Sequence, residues 1–577
     1  MCGIFIAAGL PGSFSHRALK SLRKRGPDEI GFWSDDRLHV GHTRLSIIGL
    51  DERGTQPMEN ERHVIAFNGE IYNFADIKRR LDSVGIHVSG VSDTEVLLHA
   101  WSTWGEAILK DLTGFWAFAV YDKTSRVLTL VRDQFGIKPL YYFRGRDGQL
   151  CVASMLRSIT EAVPRGLALD HLALSEYVRY QFTFGDKTFF RDVKKVRPGH
   201  LVHIPVDGGP VRDECYEDIL GAPVGETMSL TDGWIADARD RVRRAVVSST
   251  ISDTSFTTFC SGGIDSSLIT RLAAPEIAYH CNYTDPECNE TFYAKQVVEG
   301  TDIRLFVVNA NEEFDLVDRL TDIVGDFDEP TIGSVILPLE DLLSQVKRRY
   351  KVILTGTGGD ELFAGYVRYQ MVMGECYQDS YKALFAKMRK LDTPTARFEL
   401  THRKGDCGLF AFYDPAAERS FSDAFAACYT EGSDVQAMMR FDRRYFLQGL
   451  LNIDDKMCGR HSLESRPSFL HQELVRHVLQ LEPSALFDGG ELKPVLRRIA
   501  DGLLPRAVTH RTDKMGFTTP VGTFVNSSAH RVREQIMSSR FRDMYRLDRM
   551  NFTAENKFSR EVFGLLMLDL WLNRYAA

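Results

Sequence analysis

The chain has no apolar run of transmembrane length, and its start lacks the basic-then-apolar profile of a secretory leader. Basic residues are not in excess: 71 Lys and Arg against 78 Asp and Glu leave a net charge of -7. That balance speaks against a nucleic-acid-binding protein or one held on an anionic membrane. The ten cysteines are scattered without a CxxC pair, and the nearest two, Cys281 and Cys288, lack metal-ligand spacing. Buried free thiols in a reducing cytoplasm are therefore expected for all but Cys2. The GxxxxGK(S/T) pattern is absent, which excludes a Walker-type phosphate loop. Internal repeats and low-complexity tracts are also missing. What remains is a soluble composition, 44% apolar and 26% charged, over 577 residues, too long for one core and suited to about two to four domains.

Up to about residue 206, short apolar runs at 4–9, 64–67, 116–121, 127–131 and 140–143 read as buried strands. Helical spacing of Phe74, Ile77, Leu81 and Val84, and of Val96, Leu97, Ala100 and Trp104, places two helices among them. This predicts an α+β sandwich of stacked sheets over residues 1–206. A Gly-, Pro- and acid-rich stretch at 207–230 is the expected linker to a second unit, 231–577. There Thr231 or Asp232 can cap a helix with Ile235, Ala238, Val242 and Val246 on its apolar face. Strands are then expected at 256–259, 278–283, 304–308 and 352–354, alternating with helices from 266, near 293–299 and at 337–346. That order predicts a parallel sheet with nucleotide chemistry at its strand C-termini, and beyond about residue 366 the pattern is mainly helical.

Cys2 is the first residue that points to chemistry. Once Met1 is removed, Cys2 carries a thiol and a free α-amine, a nucleophile and its own general base. Behind it stand Arg25-Gly26-Pro27-Asp28, His42-Thr43-Arg44-Leu45-Ser46, Asn68-Gly69-Glu70-Ile71-Tyr72-Asn73 and Ser92-Asp93-Thr94-Glu95. Singly these suit a surface cation, a hairpin turn and a helix N-cap. In this order they resemble the class II glutamine amidotransferase domain, an N-terminal-nucleophile fold. The resemblance implies that Cys2 attacks the glutamine side-chain amide and that Asn68 and Gly69 form the oxyanion hole. It also implies that Arg44 clamps the α-carboxylate while Asp93, with Glu70, holds the ammonium. Glutamate and ammonia would be the products.

Ser261-Gly262-Gly263-Ile264-Asp265-Ser266-Ser267 follows a strand and opens a helix. Its glycines admit a polyphosphate to the backbone, and the helix N-terminus offers N–H groups. Leu354-Thr355-Gly356-Thr357-Gly358-Gly359-Asp360-Glu361 repeats the strand–loop–helix pattern about 95 positions later, so Asp265 and Asp360 are candidate Mg²⁺ ligands at one sheet edge. The first loop resembles that of ATP pyrophosphatases, and the whole order resembles the asparagine synthetase family. Asn289-Glu290-Thr291-Phe292-Tyr293-Ala294, Phe327-Asp328-Glu329-Pro330, Asp454-Asp455-Lys456-Met457 and His461-Ser462-Leu463-Glu464-Ser465-Arg466 agree with it. The resemblance implies an α/β ATP-pyrophosphatase domain with a helical C-terminal part. ATP and Mg²⁺ would adenylate a carboxylate acceptor, ammonia would displace AMP, and pyrophosphate would leave. Ser261, Gly262, Gly263, Ser266, Ser267, Thr355 and Gly356 would contact ATP, with Lys514 near the phosphates. Cytoplasmic localisation and small-molecule partners fit this reading, and family members are often homodimers.

Three positions depart from asparagine synthetases proper. Thr357 stands where an acid near the acceptor is usual, Pro467 where an apolar residue is usual, and His471 where Asp is usual. Residues 511–517 look more like those of members that amidate other acids in polysaccharide or natural-product pathways. The expected acceptor is therefore a non-aspartate acid, with free aspartate as the alternative. A non-catalytic nucleotide-binding or interaction protein would show degraded motifs, whereas Cys2, Asn68, Asp265 and Asp360 all stand.

Overall fold

Twelve strands of the N-terminal region form two stacked antiparallel sheets. They are β1 (Gly3–Ala8), β2 (Glu29–Ser34), β3 (His39–Arg44), β4 (Met58–Glu59), β5 (His63–Ile71) and β6 (Gly114–Asp122), then β7 (Val127–Arg132), β8 (Tyr141–Arg144), β9 (Leu150–Ala153), β10 (Val193–Lys195), β11 (His200–Pro205) and β12 (Arg212–Cys215). One sheet has the order β10-β8-β9-β1-β3-β2, the other β12-β11-β7-β6-β5-β4. The computed structural model describes every residue except 11, 91, 146–147, 164–165, 222–226, 331–332, 376–380, 430–432, 488–489, 513, 515–518 and 577, and it leaves out the side chains of 12–15.

Ile4, Ile6 and Ala8 of β1 meet Val64, Ala66, Ala117 and Ala119 between the sheets. Small alanines opposite branched residues let the layers approach closely. The outer face of the second sheet carries helices Phe74–Ser83 and Asp93–Trp104 through Ile77, Leu81, Val96, Leu97 and Trp101. Helices Gly12–Ser21 and Leu156–Ala162 cover the first. The α+β sandwich of stacked sheets is thus as expected. β1 is buried at every position, which is why it reads as a continuous apolar run rather than an alternating one.

β13 (Phe256–Phe259), β14 (Ile277–Asn282), β15 (Arg304–Asn309), β16 (Val352–Thr355) and β17 (Glu464–Pro467) form a parallel sheet ordered β15-β14-β13-β16-β17. The chain moves one way from β13 through β14 to β15 and returns on the other side of β13 with β16. The direction reverses between β13 and β16, and the loops that follow these two strands leave the sheet side by side. Helix Asp232–Ser249 buries Ile235, Ala238, Val242 and Val246 and is capped by Thr231, which accepts the Trp234 N–H at 3.1 Å.

Two segments differ from the sequence-based expectation. Within 207–230, β12 pairs with β11, so part of the expected linker adds a strand to the sandwich edge. β17 lies in the region read as helical. Its Glu-Ser-Arg-Pro sequence has no β-branched or aromatic residue, and its place is fixed by pairing to β16 and by buried ion pairs rather than by propensity. Among the described residues no helix is long and apolar enough to cross a membrane.

Candidate active sites

Cys2 stands just before β1, half-buried, and its N–H donates to Asn68 Oδ1 at 2.9 Å. Its Sγ lies 3.8 Å from the Leu45 carbonyl, and burial pushes its thiol up. Met1 is in place here: its buried amine, lowered to about 5 by desolvation, donates to the Leu463 carbonyl at 3.3 Å. Because Asn68 turns Oδ1 to Cys2, its Nδ2 is left buried without a partner among the described residues. A buried donor without an acceptor costs about 1–3 kcal/mol, so an acceptor entering here would recover it. The register Gly69↔Trp116 between β5 and β6 holds this corner. A Cβ on Gly69 would stand 2.0 Å from the Phe115 carbonyl oxygen, so only glycine fits.

Asp93 and Glu70 converge on the same end. Asp93 Oδ2 accepts the Ile71 N–H at 3.1 Å, and burial lifts the carboxyl to about 6. Ser92, not Asp93, is the helix N-cap, accepting the Thr94 N–H, so the Asp93 carboxyl is not used as the cap. Glu70 is raised well above the usual carboxylate range by burial, against the pull of Arg466 at 3.3 Å. Its Oε2 is buried without a partner among the described residues. Arg44, expected to clamp a substrate carboxylate, already has four partners. Its fork donates to Glu29 and the Asp51 carbonyl, both at 3.0 Å, to Ile48 O at 3.3 Å and to Gly49 O. Four acceptors within reach satisfy a buried guanidinium before any carboxylate arrives.

At the switch point, helix Ile264–Ala273 begins two residues earlier than expected, with Gly263 as an N-cap that makes no side-chain bond. Its first-turn N–H groups therefore face the loop uncapped. Gly262 has φ +76°, and a Cβ there would lie 2.5 Å from Tyr293 Cβ. Ser261 and Ser266 share a hydroxyl bond of 2.9 Å, while the Ser267 hydroxyl is buried without a partner among the described residues. A small pocket of about 20 Å³ lined by Phe259, Ser261, Tyr279, His280 and Glu290 lies beside this loop.

Asp265 and Asp360 converge on one cation, Lys493, which bonds to Asp265 and stands 2.7 Å from Asp360. Burial raises the Asp265 carboxyl although Lys493 opposes it, and Asp265 Oδ1 is buried without a partner among the described residues. Two carboxylates aimed at one point, one with an oxygen to spare, fit a hard divalent cation such as Mg²⁺. Lys514 lies over the first loop, its Cε 3.0 Å from where a Gly263 Cβ would stand, and is paired with Glu290; burial lowers its ammonium. Its neighbours 513 and 515–518 lie outside the described residues. Gly356 packs on Asp265 and Ser266, and the Thr355 hydroxyl lies 3.4 Å from Asp454.

Sequence reasoning assigned no role to several groups that join these sites. Arg25 makes a two-pronged pair with Asp455 (2.6 and 3.0 Å) and donates Nε–H to the Cys2 carbonyl at 3.0 Å. Lys456 pairs with Asp328, which also accepts the Leu156 N–H at 2.6 Å. Glu464 and Arg466 of β17 bond at 2.8 Å, with Lys138 3.5 Å from Glu464. The available signal was three consecutive charged residues, Asp454-Asp455-Lys456, inside a helix, Leu447–Arg460, whose neighbouring positions are largely apolar. Lys493 carried no such signal.

Comparison with known proteins decides the family. A model described as a glutamine amidotransferase domain matches residues 1–216, and one described as asparagine synthase matches residues 237–573. The chain belongs to the asparagine synthase family. Glutamine-hydrolysing asparagine synthetase 1 of Bacillus subtilis is 29% identical over 95% of this chain and 91% of its own length. Asparagine synthetase 3 of the same bacterium is 26% identical over 96% of this chain and 92% of its own. The amidase chry2 of Gibberella zeae is 27% identical over 72% of this chain and 64% of its own. The protein is thus a glutamine-hydrolysing carbon–nitrogen ligase, a glutamine-dependent amidotransferase of the asparagine synthetase type, and its synthetase domain implies ATP use.

Proposed function

We propose that this ligase amidates a carboxylic acid other than free aspartate. The observation that carries the reading is Thr357, whose hydroxyl in the acceptor loop donates to Asp454 at 2.6 Å. A neutral hydroxyl there, with Thr355 and Ser465 beside it, offers a sugar-like or peptide-like acid hydrogen bonds without the repulsion that a carboxylate at 357 would add. One relative with a name other than asparagine synthetase, the amidase, is compatible with acceptor variety in the family. Aspartate is the second reading. It is favoured by the names of the two bacterial relatives and by the acid that Asp454 returns to the same loop.

In the proposed reaction, Cys2, freed of Met1, attacks the glutamine amide with its own amine as base. Asn68 Nδ2 and the Gly69 N–H receive the oxyanion, Asp93 and Glu70 face the ammonium, and Arg44 takes the α-carboxylate in exchange for Glu29. Ser261, Gly262, Gly263, Ser266 and Ser267 cradle the phosphates of ATP at the uncapped helix end, and Lys514 neutralises charge beside them. Asp265 and Asp360 would hold Mg²⁺, which supplies charge neutralisation at the phosphates when bound. The two domains, 1–206 and 231–577, would divide these half-reactions.

Pyrophosphate release from ATP, with glutamine as nitrogen source, is measured across aspartate, N-acyl amino acids, uronic acids and polyketide acids. Release with a non-aspartate acid at least about tenfold above that with aspartate is the expected result. Aspartate as the preferred acid overturns the reading.

A further inference from the structure

Helix Leu447–Arg460 presents two consecutive carboxylates to two different places. Asp455 is 3% exposed on its side chain and is held by Arg25, whose Nε–H reaches the carbonyl of Cys2. Asp454 points to the loop after β16, where the hydroxyls of Thr357 at 2.6 Å and Thr355 at 3.4 Å both donate to its Oδ2. That loop packs on the nucleotide loop: a Cβ on Gly356 would stand 2.9 Å from Asp265 Cβ. One step along a helix thus connects the residue that makes ammonia with the loop beside the adenylating site. Unlike Asp455, Asp454 keeps part of its surface open.

An amide cannot form from ammonia and an acyl-adenylate unless the attacking nitrogen gives up a proton. Hydroxyls at 355, 357 and 465 are too weakly basic at neutral pH to take it. We propose that Asp454 is the proton acceptor for amide formation, with Thr357 as the residue that positions its carboxylate. In this step the nitrogen lone pair forms a C–N bond to the acyl carbon, and the carbonyl π pair moves to oxygen. One N–H proton passes to Asp454. The carbonyl then re-forms as the C–O bond to AMP breaks, with the bonding pair leaving on AMP. Asp454 returns its proton to solvent through its open side.

Burial lifts the Asp454 carboxyl to about 6, opposed by the hydroxyls of Thr357, Thr355 and Ser465, which keeps it ionised at neutral pH yet basic enough to serve. Titratable groups near it include Asp455 on its own helix and Cys458 one turn on; the Thr355 and Thr357 hydroxyls and that of Ser465 on β17 also reach it, while β17's Glu464 and Arg466 are paired with each other. A purely structural tether between helix and loop is the alternative, and it predicts different kinetics.

The proposal rests on the adenylating amidation above but not on which acid is amidated. The full-length protein is assayed with ammonium chloride, ATP and the acid selected by the pyrophosphate panel. Asp454→Asn is expected to lower amide formation at least about 100-fold while pyrophosphate–ATP exchange stays within about threefold. Its rate should lose the limb on which wild-type activity falls as pH drops through about 6. Asp454→Glu should retain a measurable fraction of activity, and Thr357→Glu placed in the Asp454→Asn protein should restore at least about tenfold, since it returns a carboxylate to the same contact. Thr357→Val removes a donor to the charged form, so its acidic limb should move to higher pH. Amide formation at wild-type rate in Asp454→Asn overturns the proposal. So does parallel loss of exchange and amide without recovery by Glu at 357. An infrared titration of the wild-type protein against Asp454→Asn needs no acceptor: a carboxyl titrating near 6 supports the assignment, and one titrating below about 4 contradicts it. If no acid in the panel releases pyrophosphate, the acceptor reading fails and the infrared result still decides this one.

Discussion

The two sites differ in how far their polar groups are paired. Near Cys2 the structure leaves Asn68 Nδ2 and Glu70 Oε2 buried without partners among the described residues, held in place by the β5–β6 pairing. At the switch point of the parallel sheet the ions instead close on one another, Lys493 on Asp265 and Asp360, Lys514 and Arg511 on Glu290. The first arrangement is costly when empty and gains as soon as an oxyanion and an ammonium enter. In the second, each of these charges has a counter-charge at rest, so the proposed binding of polyanionic ATP would exchange partners rather than create new buried charge. The difference is one of degree: at the switch point Asp265 Oδ1 and the Ser267 hydroxyl are also buried without partners among the described residues, but Asp265, Asp360 and Glu290 each have an opposite charge beside them. Arg44 is the exception in the first site, since its fork is already filled by Glu29 and three carbonyls.

The comparison breaks most visibly at Asp265. Asp265→Asn should lower pyrophosphate release by more than about 1000-fold with glutamine or ammonium as nitrogen source, while glutamate formation continues. Loss of both activities together would mean that the two sites are not separate chemical units. A smaller effect sharpens the glutaminase side. Asn68→Ala removes the waiting donor and should slow glutamate formation about 100-fold, roughly 3 kcal/mol of barrier, with ammonium-driven amidation unchanged. A change below about threefold would leave the buried Nδ2 without a catalytic purpose.

Much of this was legible in the sequence because it is local. Strand, glycine and serine sit in adjacent positions around 261–267, and Asn68-Gly69 is a dipeptide whose backbone and side chain act together. The illegible part is long-range. Asp454 meets Thr357 across 97 positions, and Lys493 meets Asp265 across 228, contacts that no periodicity encodes. β17 lies where the apolar pattern is mainly helical, and its Glu464 and Arg466 are buried as partners of Lys138 and Glu70, contacts distant in sequence. The family resemblance implies that Arg44 clamps a substrate carboxylate; the carbonyls of residues 48, 49 and 51 supply partners that hydrophobic patterning does not register.

The central claim is that Cys2 supplies nitrogen to a second, independent adenylating site. It is tested most directly with Cys2→Ala, counting amide formed from glutamine and from ammonium chloride in parallel assays with the acid that the panel selects. The account predicts loss of the glutamine-driven product by at least about 1000-fold and retention of the ammonium-driven product within about threefold. Glutamine-driven amide formation that survives in Cys2→Ala would contradict it.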